Sequence, residues 1–177
     1  MIDKKSLINL LDTDNLEYKL YDHPALFTVE DSKKMRGKIE GAHTKNLFLK
    51  NKKNNFFLFS CLESTIINLK ILKQRLNLGS ISFAGNKYLQ VILNVQPGAV
   101  TPFGLLNDNE KKVKFFLDLK LNEFNSINFH PLVNTATINI KRDALYNFFK
   151  INDIVIHFIN FETYKTYEIK TLKHYGK

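Results

Sequence analysis

The sequence predicts a single α+β domain, with many strands and several helices interleaved irregularly. Three observations predict it. Apolar residues recur at helical spacing in some windows and alternate in others, throughout the chain. No internal repeat and no low-complexity segment interrupts this mixture. The chain has 177 residues, 44% of them apolar, and its 15 Phe and 7 Tyr supply the bulk of one substantial core although Trp is absent.

The elements follow in order. Apolar Leu7, Ile8, Leu10 and Leu11 make Ser6 to Leu16 an amphipathic helix. Tyr18 to Tyr21 alternates as a strand, and Pro24 stops it. Thr28 followed by Asp31 has the form of a helix cap, which predicts a helix over Val29 to Arg36, and Gly37 and Gly41 frame a loop. Thr44 to Lys50 and Phe56 to Cys61 are extended runs joined by Asn51-Lys-Lys-Asn-Asn55, a polar turn, so they predict a β-hairpin. Leu69, Leu72 and Leu76 give Asn68 to Leu78 a helical stripe that Gly79 ends. Lys87 to Val95 is a further helix, closed by Pro97-Gly98. Short strands are predicted at Gly104 to Leu106, Val113 to Leu117, Ser126 to Phe129 and Thr135 to Ile140. A helix over Asp143 to Phe149 and a strand over Ile154 to Phe158 close the domain, which is expected to span residues 1–161. Residues 162–177, rich in Lys and Tyr with weak periodicity, are expected to form a basic tail.

Composition removes several classes of protein. One cysteine excludes an intramolecular disulfide framework and a Cys-rich zinc site. No apolar run approaches the ~18 residues of a membrane span, and the N-terminus lacks a secretory signal, so a soluble cytoplasmic protein is expected, with no membrane partner. The formal net charge of +9 suits a polyanionic partner. Codon bias offers a plainer source for that charge, since Lys, Asn and Ile supply a third of the chain and only Arg36, Arg75 and Arg142 carry the guanidinium that nucleic-acid readers favour.

Chemistry is then narrowed by elimination. There is no nucleophile elbow, phosphate-binding glycine loop, dinucleotide fingerprint or zinc-protease helix, and the five His have no metal-ligand spacing. Cys61 ends an apolar run and reads as a buried structural thiol. Three features remain. In Thr44-Lys-Asn-Leu-Phe-Leu-Lys50, alternation puts Lys45 on the face of Leu47 and Leu49, and Asn46 on the opposite face with Phe48. Lys45 either points inward at the core margin, where an ammonium needs an anionic partner, or snorkels to water. Pro97-Gly-Ala-Val-Thr-Pro-Phe-Gly104 is a stiff loop, either a connector or a backbone cradle for a ligand. His130 closes a strand in Phe129-His-Pro131, as a surface residue or a functional one.

The order and spacing of these segments resemble the YbaK/ProX family, the prolyl-tRNA editing domain superfamily. Within it they are most similar to the free-standing alanyl-tRNA(Pro) deacylases. The matching text is His23-Pro-Ala-Leu-Phe-Thr-Val29, Gly41-Ala-His-Thr-Lys-Asn-Leu-Phe-Leu49, Ile81-Ser-Phe-Ala84, Pro97 to Leu105, and Asn128-Phe-His-Pro-Leu-Val-Asn-Thr-Ala-Thr137. Gly85 and Val133 depart from the family's common Ser and Thr. The resemblance implies a mixed sheet curled towards a barrel and hydrolysis of alanine from mischarged tRNA(Pro), without cofactor or metal. It implies Lys45 and His130 as catalytic residues. Asn46 and the loop from Gly98 through Ala99, Val100, Thr101 and Pro102 to Phe103 would bind substrate, with Val100 and Phe103 near the wall that refuses proline. Prolyl-tRNA synthetase is a candidate partner. Deacylation of Cys-tRNA(Pro) or another small mischarged product is the nearest alternative, and a non-catalytic tRNA-binding module or a small-molecule ester or amide hydrolase are the others.

Overall fold

The computed structural model describes residues 1–25 and 39–167. The helix predicted over Val29 to Arg36, and Gly37, lie outside the described residues.

Four α-helices and nine strands are formed: α1 (Lys4–Thr13), β1 (Tyr18–Asp22), β2 (Ala42–Asn51), β3 (Phe56–Leu62), α2 (Leu69–Arg75), β4 (Ile81–Phe83), α3 (Asn86–Tyr88), β5 (Val113–Asp118), β6 (Ser126–Phe129), β7 (Ala136–Lys141), α4 (Arg142–Ile151), β8 (Ile156–Ile159) and β9 (Thr166–Tyr167) among the described residues. The strands make one mixed sheet in the order β1-β7-β6-β2-β3-β5-β8-β9, with β4 also paired to β2. The predicted α+β class is observed. The sheet stays open, with β1 and β9 at its edges, and does not close into a barrel.

The predicted hairpin forms as β2 and β3, in a register running from Thr44 opposite Leu62 to Lys50 opposite Phe56. Asn51 builds its turn: Asn51 Oδ1 accepts from the Lys53 and Asn55 N–H groups at 2.9 and 3.0 Å, while Asn51 Nδ2 donates to the Leu78 carbonyl at 3.0 Å. Asn54 takes the left-handed conformation at φ 57°, which asparagine tolerates better than most residues.

Alternation along these strands fills two cores, one on each face of the sheet. Phe48, Phe56, Leu58, Phe115, Ile127, Phe129, Ile138 and Ile140 face the larger one, where Leu7 and Leu11 of α1 and Leu145, Phe148 and Phe149 of α4 cover them. Leu49, Phe57, Phe59, Cys61, Phe116 and Ile159 face the smaller, covered by Leu72 of α2 together with Phe161 and Tyr164. Each buried apolar side chain of this size contributes about 1.5–3 kcal/mol, so residues 162–167, which include buried Tyr164 and strand β9, lie against the domain.

One predicted strand is a helix. Pro102–Asn107, containing Gly104 to Leu106, forms a 3-10 helix. Thr101 caps it by accepting the Phe103 N–H, and Pro102 sits at its first position, where a missing N–H costs nothing. Gly104 permits the packing, because a Cβ there would lie 2.9 Å from Leu93 Cβ. The helix expected from Lys87 continues from α3 as a π-helical turn, Leu89–Leu93, and ends at left-handed Asn94.

A candidate site at a break in the sheet

The edge of β2 that faces away from β3 changes partner along its length. Parallel β6 pairs with it at Ala42 and His43, and antiparallel β4 pairs with it from Leu49 to Asn51. Between them, Thr44 to Leu47 have no strand on that edge among the described residues. The main-chain direction follows from two bonds. Glu63 N donates to His43 O at 2.9 Å, so odd-numbered residues here bond towards β3, and Ala84 N donates to Phe48 O at 2.9 Å, so even-numbered ones bond away from it. The N–H and C=O of Asn46 therefore face the break.

The Asn46 side chain lies on the face of the larger core and ties the proline-bounded loop to the break. Its Nδ2 donates to Val100 O at 2.9 Å, and its Oδ1 accepts from Ser60 Oγ at 2.5 Å. Ser60 is fully buried and stands opposite Asn46 in the hairpin. The loop is firmly seated: Gly98 is exposed and left-handed at φ 85°, Val100 is half-buried, and Ala99, Thr101, Pro102 and Phe103 are buried. Phe103 packs among Phe129, Phe148 and Phe149, with ring centroids 6.1, 5.6 and 6.4 Å away. It supports the loop from beneath and shows no face to an open pocket.

Lys45 turns to the opposite face, as its alternation with Leu47 and Leu49 predicts. Its ammonium donates to the main-chain carbonyl of Thr65, and the Thr65 hydroxyl donates to Asp118 Oδ2 at 3.1 Å. Cys61 faces Lys45 in the hairpin and is fully buried. Burial first of all, then the nearby Asp118 charge, pushes its thiol up to about 12 against the opposing pull of Lys45, which leaves it inert at neutral pH.

His130 follows β6, where Phe129 fills the larger core. Its Nδ1–H donates to Ala136 O at 2.9 Å, and its ring lies 6.2 Å from that of His23. His23 accepts from the Thr137 hydroxyl through Nε2 at 2.9 Å and donates through Nδ1 to Pro24 O at 2.9 Å. Beside them Asn139 Nδ2 donates to Asn128 Oδ1 at 2.8 Å, and Asn128 Nδ2 donates to Glu40 O at 2.8 Å. The sheet face over β6 and β7 is thus polar, in contrast to the apolar face over β3 and β5.

The structure thus joins Asn46 to the loop, Lys45 to Thr65, and His130 to His23. Sequence reasoning missed Ser60, Thr65 and Asp118. Ser60 and Asp118 carry a signal, each being a lone polar residue in an apolar run; Thr65 carries none, since its role comes from the fold. Among the described residues no three His, Cys, Asp or Glu gather as a metal site, and no helix is long and apolar enough to cross a membrane.

Residues 23–148 match the aminoacyl-tRNA editing domain family. The chain is 37% identical over 145 residues to a prolyl-tRNA synthetase associated domain-containing protein 1 of Xenopus laevis, covering 77% of this chain and 86% of that one. It is 31% identical over 150 residues to the prolyl-tRNA editing protein ProX of Acetoanaerobium sticklandii, covering 84% and 92%. The crystal structure of a proposed trans-editing enzyme for prolyl tRNA synthetase superposes with a TM-score of 0.63 at 16% identity, over 88% of this chain and 96% of that one, and shows the shared fold.

Proposed function

Because the chain belongs to the aminoacyl-tRNA editing domain family, we propose that it hydrolyses the ester between alanine and mischarged tRNA(Pro). The observation that carries this reading is the break along β2. An aminoacyl group offers an ammonium and an ester carbonyl, and the Asn46 C=O and N–H are the complementary pair, presented as a strand edge presents them to a docking peptide. The Val100 loop, anchored by Asn46, adds a rigid wall on one side. Lys45 adds positive charge on the other, and among the described residues the Thr65 carbonyl takes one of its three donors, so two can serve a phosphate or ester oxygen.

The reaction needs little more. An aminoacyl ester is already activated, so holding it beside a water and stabilising the developing oxyanion are the main requirements. Water adds to the ester carbonyl, its proton passes by way of the neighbouring ribose hydroxyl to the departing ribose oxygen, and free alanine and tRNA result. His130, held by Ala136, orients the polar side of the site. Alanine is admitted and proline refused by exclusion, since a rigid wall rejects a ring more sharply than an apolar pocket separates one methylene, at ~1–3 kcal/mol. The names of the vertebrate relatives support prolyl-tRNA synthetase as a partner of this chain.

The test is single-turnover deacylation of Ala-, Cys- and Pro-tRNA(Pro) by the purified protein, with Lys45→Ala alongside. Hydrolysis selective for alanine and abolished in the variant is expected. Preference for cysteine would replace the substrate, full turnover by Lys45→Ala would remove that residue from the mechanism, and no hydrolysis of any of the three would overturn the reading in favour of a binding module.

A further inference from the structure

Lys45 is a single charge on a flexible four-carbon stem, and something must fix where that charge sits. The group it touches is the main-chain carbonyl of Thr65, in the turn that follows β3. That turn is pinned by a carboxylate with no exposure to solvent. Asp118, the last residue of β5, accepts from the Thr65 hydroxyl through Oδ2 at 3.1 Å and from the Lys120 N–H through Oδ1 at 3.1 Å. It thereby ties the end of β5 to the turn that carries Thr65.

A fully buried carboxylate is costly, and two donors only partly offset the cost. Burial raises the Asp118 carboxyl above the usual carboxylate range, against the downward pull of those hydrogen bonds. An asparagine would fill the same space and still cap the Leu119–Glu123 turn through its oxygen. The charge and the direction of the Thr65 bond, which an amide nitrogen would reverse by donating to the hydroxyl, are therefore what distinguish aspartate here.

We propose that Asp118, acting through Thr65, is a positioning residue for Lys45: the buried carboxylate holds the Thr65 hydroxyl, and so aims the Thr65 carbonyl that docks the Lys45 ammonium beside the break in the sheet. Asp118 itself touches no substrate. Its consequence for rate rests on the reading of Lys45 given above, whereas its hold on Lys45 does not.

The experiment separates the two. The ammonium resonance of Lys45 is followed by 15N NMR, assigned by its loss in Lys45→Gln, in the wild type and in Thr65→Val, Thr65→Ser and Asp118→Asn. In the wild type and Thr65→Ser, which keeps the hydroxyl, the ammonium protons exchange slowly with water. In Thr65→Val and Asp118→Asn the resonance moves to the position of solvated lysines and exchange accelerates. Single-turnover deacylation falls about tenfold in each of these two variants, a loss typical of misplacement without removal. Thr65→Val combined with Asp118→Asn falls no further than about twofold below the slower single variant, because both cut one linkage. An unchanged Lys45 resonance in Thr65→Val overturns the proposal even if Asp118→Asn fails to fold, and so do losses that multiply in the double variant. A wild type that shows the NMR signature without hydrolysing Ala-tRNA(Pro) leaves the positioning role standing and refutes the deacylase reading.

Discussion

Replacing Asn46 by alanine removes both of its side-chain hydrogen bonds at once, one holding Val100 O and one receiving Ser60 Oγ. Losing the Val100 bond costs roughly 0.5–1.5 kcal/mol. The Ser60 hydroxyl, with no exposure to solvent, is left without a partner, at roughly 1–3 kcal/mol. The sum is about 1.5–4.5 kcal/mol, which for a domain of this size lowers Tm by roughly 3–18 °C. Thermal unfolding followed by circular dichroism measures it directly. The added variant Ser60→Ala sharpens the test: Asn46→Ala with Ser60→Ala should be more stable than Asn46→Ala alone by about 1–2 kcal/mol, since no hydroxyl is then stranded. A Tm for Asn46→Ala within about 2 °C of wild type, below the smallest shift that scaling allows, or a double variant showing the plain sum of the singles, would refute the view that Asn46 clamps the loop.

Phe103→Ala empties a fully buried site among three aromatic rings and should cost about 3–5 kcal/mol; an unmoved urea midpoint would show that the loop does not rest on it. Gly41→Ala places a Cβ 2.4 Å from Ser126 Oγ and 2.6 Å from Ser126 O at φ 86°, so it should destabilise by more than about 2 kcal/mol, and a neutral effect in urea would contradict the described join between β2 and β6. Asp118 binds its proton more tightly folded than unfolded, so its protonated form contributes stability that is present below the unfolded value of about 3.9 and lost as pH rises through the higher folded value. Asp118→Asn should therefore gain on wild type as pH increases from about 4, and a difference in urea midpoint that is constant or reversed over that range sinks the argument. Deacylation should fall steeply with added salt if the lysines contact tRNA phosphates, and a flat profile would exclude that contact.

Much of the scaffold was legible because its signals are local. The polar run from Asn51 to Asn55 between two apolar runs places the hairpin, and period-two alternation puts Lys45 and Asn46 on opposite faces. Ser126–Phe129 has the predicted bounds. Strands β4 and β9 were not legible, having three and two residues, too few for any period to show. Gly104 to Leu106 looked extended because Thr101 and Pro102 start a helix there only once Leu93 lies close. The same limit governs the site. Asn46 and the loop stand out as residue types, but the bond between them spans 54 positions. Thr65 meets Asp118 across 53 positions. Such pairs exist only after the sheet has assembled.

A strand edge with open hydrogen-bonding groups is a hazard as well as an opportunity, since another chain can add to it and begin aggregation. In β2 that edge is interrupted at both ends, by β6 after Ala42 and His43 and by β4 from Leu49. What is left between them is too short to template an intermolecular sheet, and the Lys45 charge and the Asn46–Val100 clamp flank it. Among the described residues, the fold can thus leave backbone without a strand partner in the middle of a central strand without inviting its own neighbours to zip onto it.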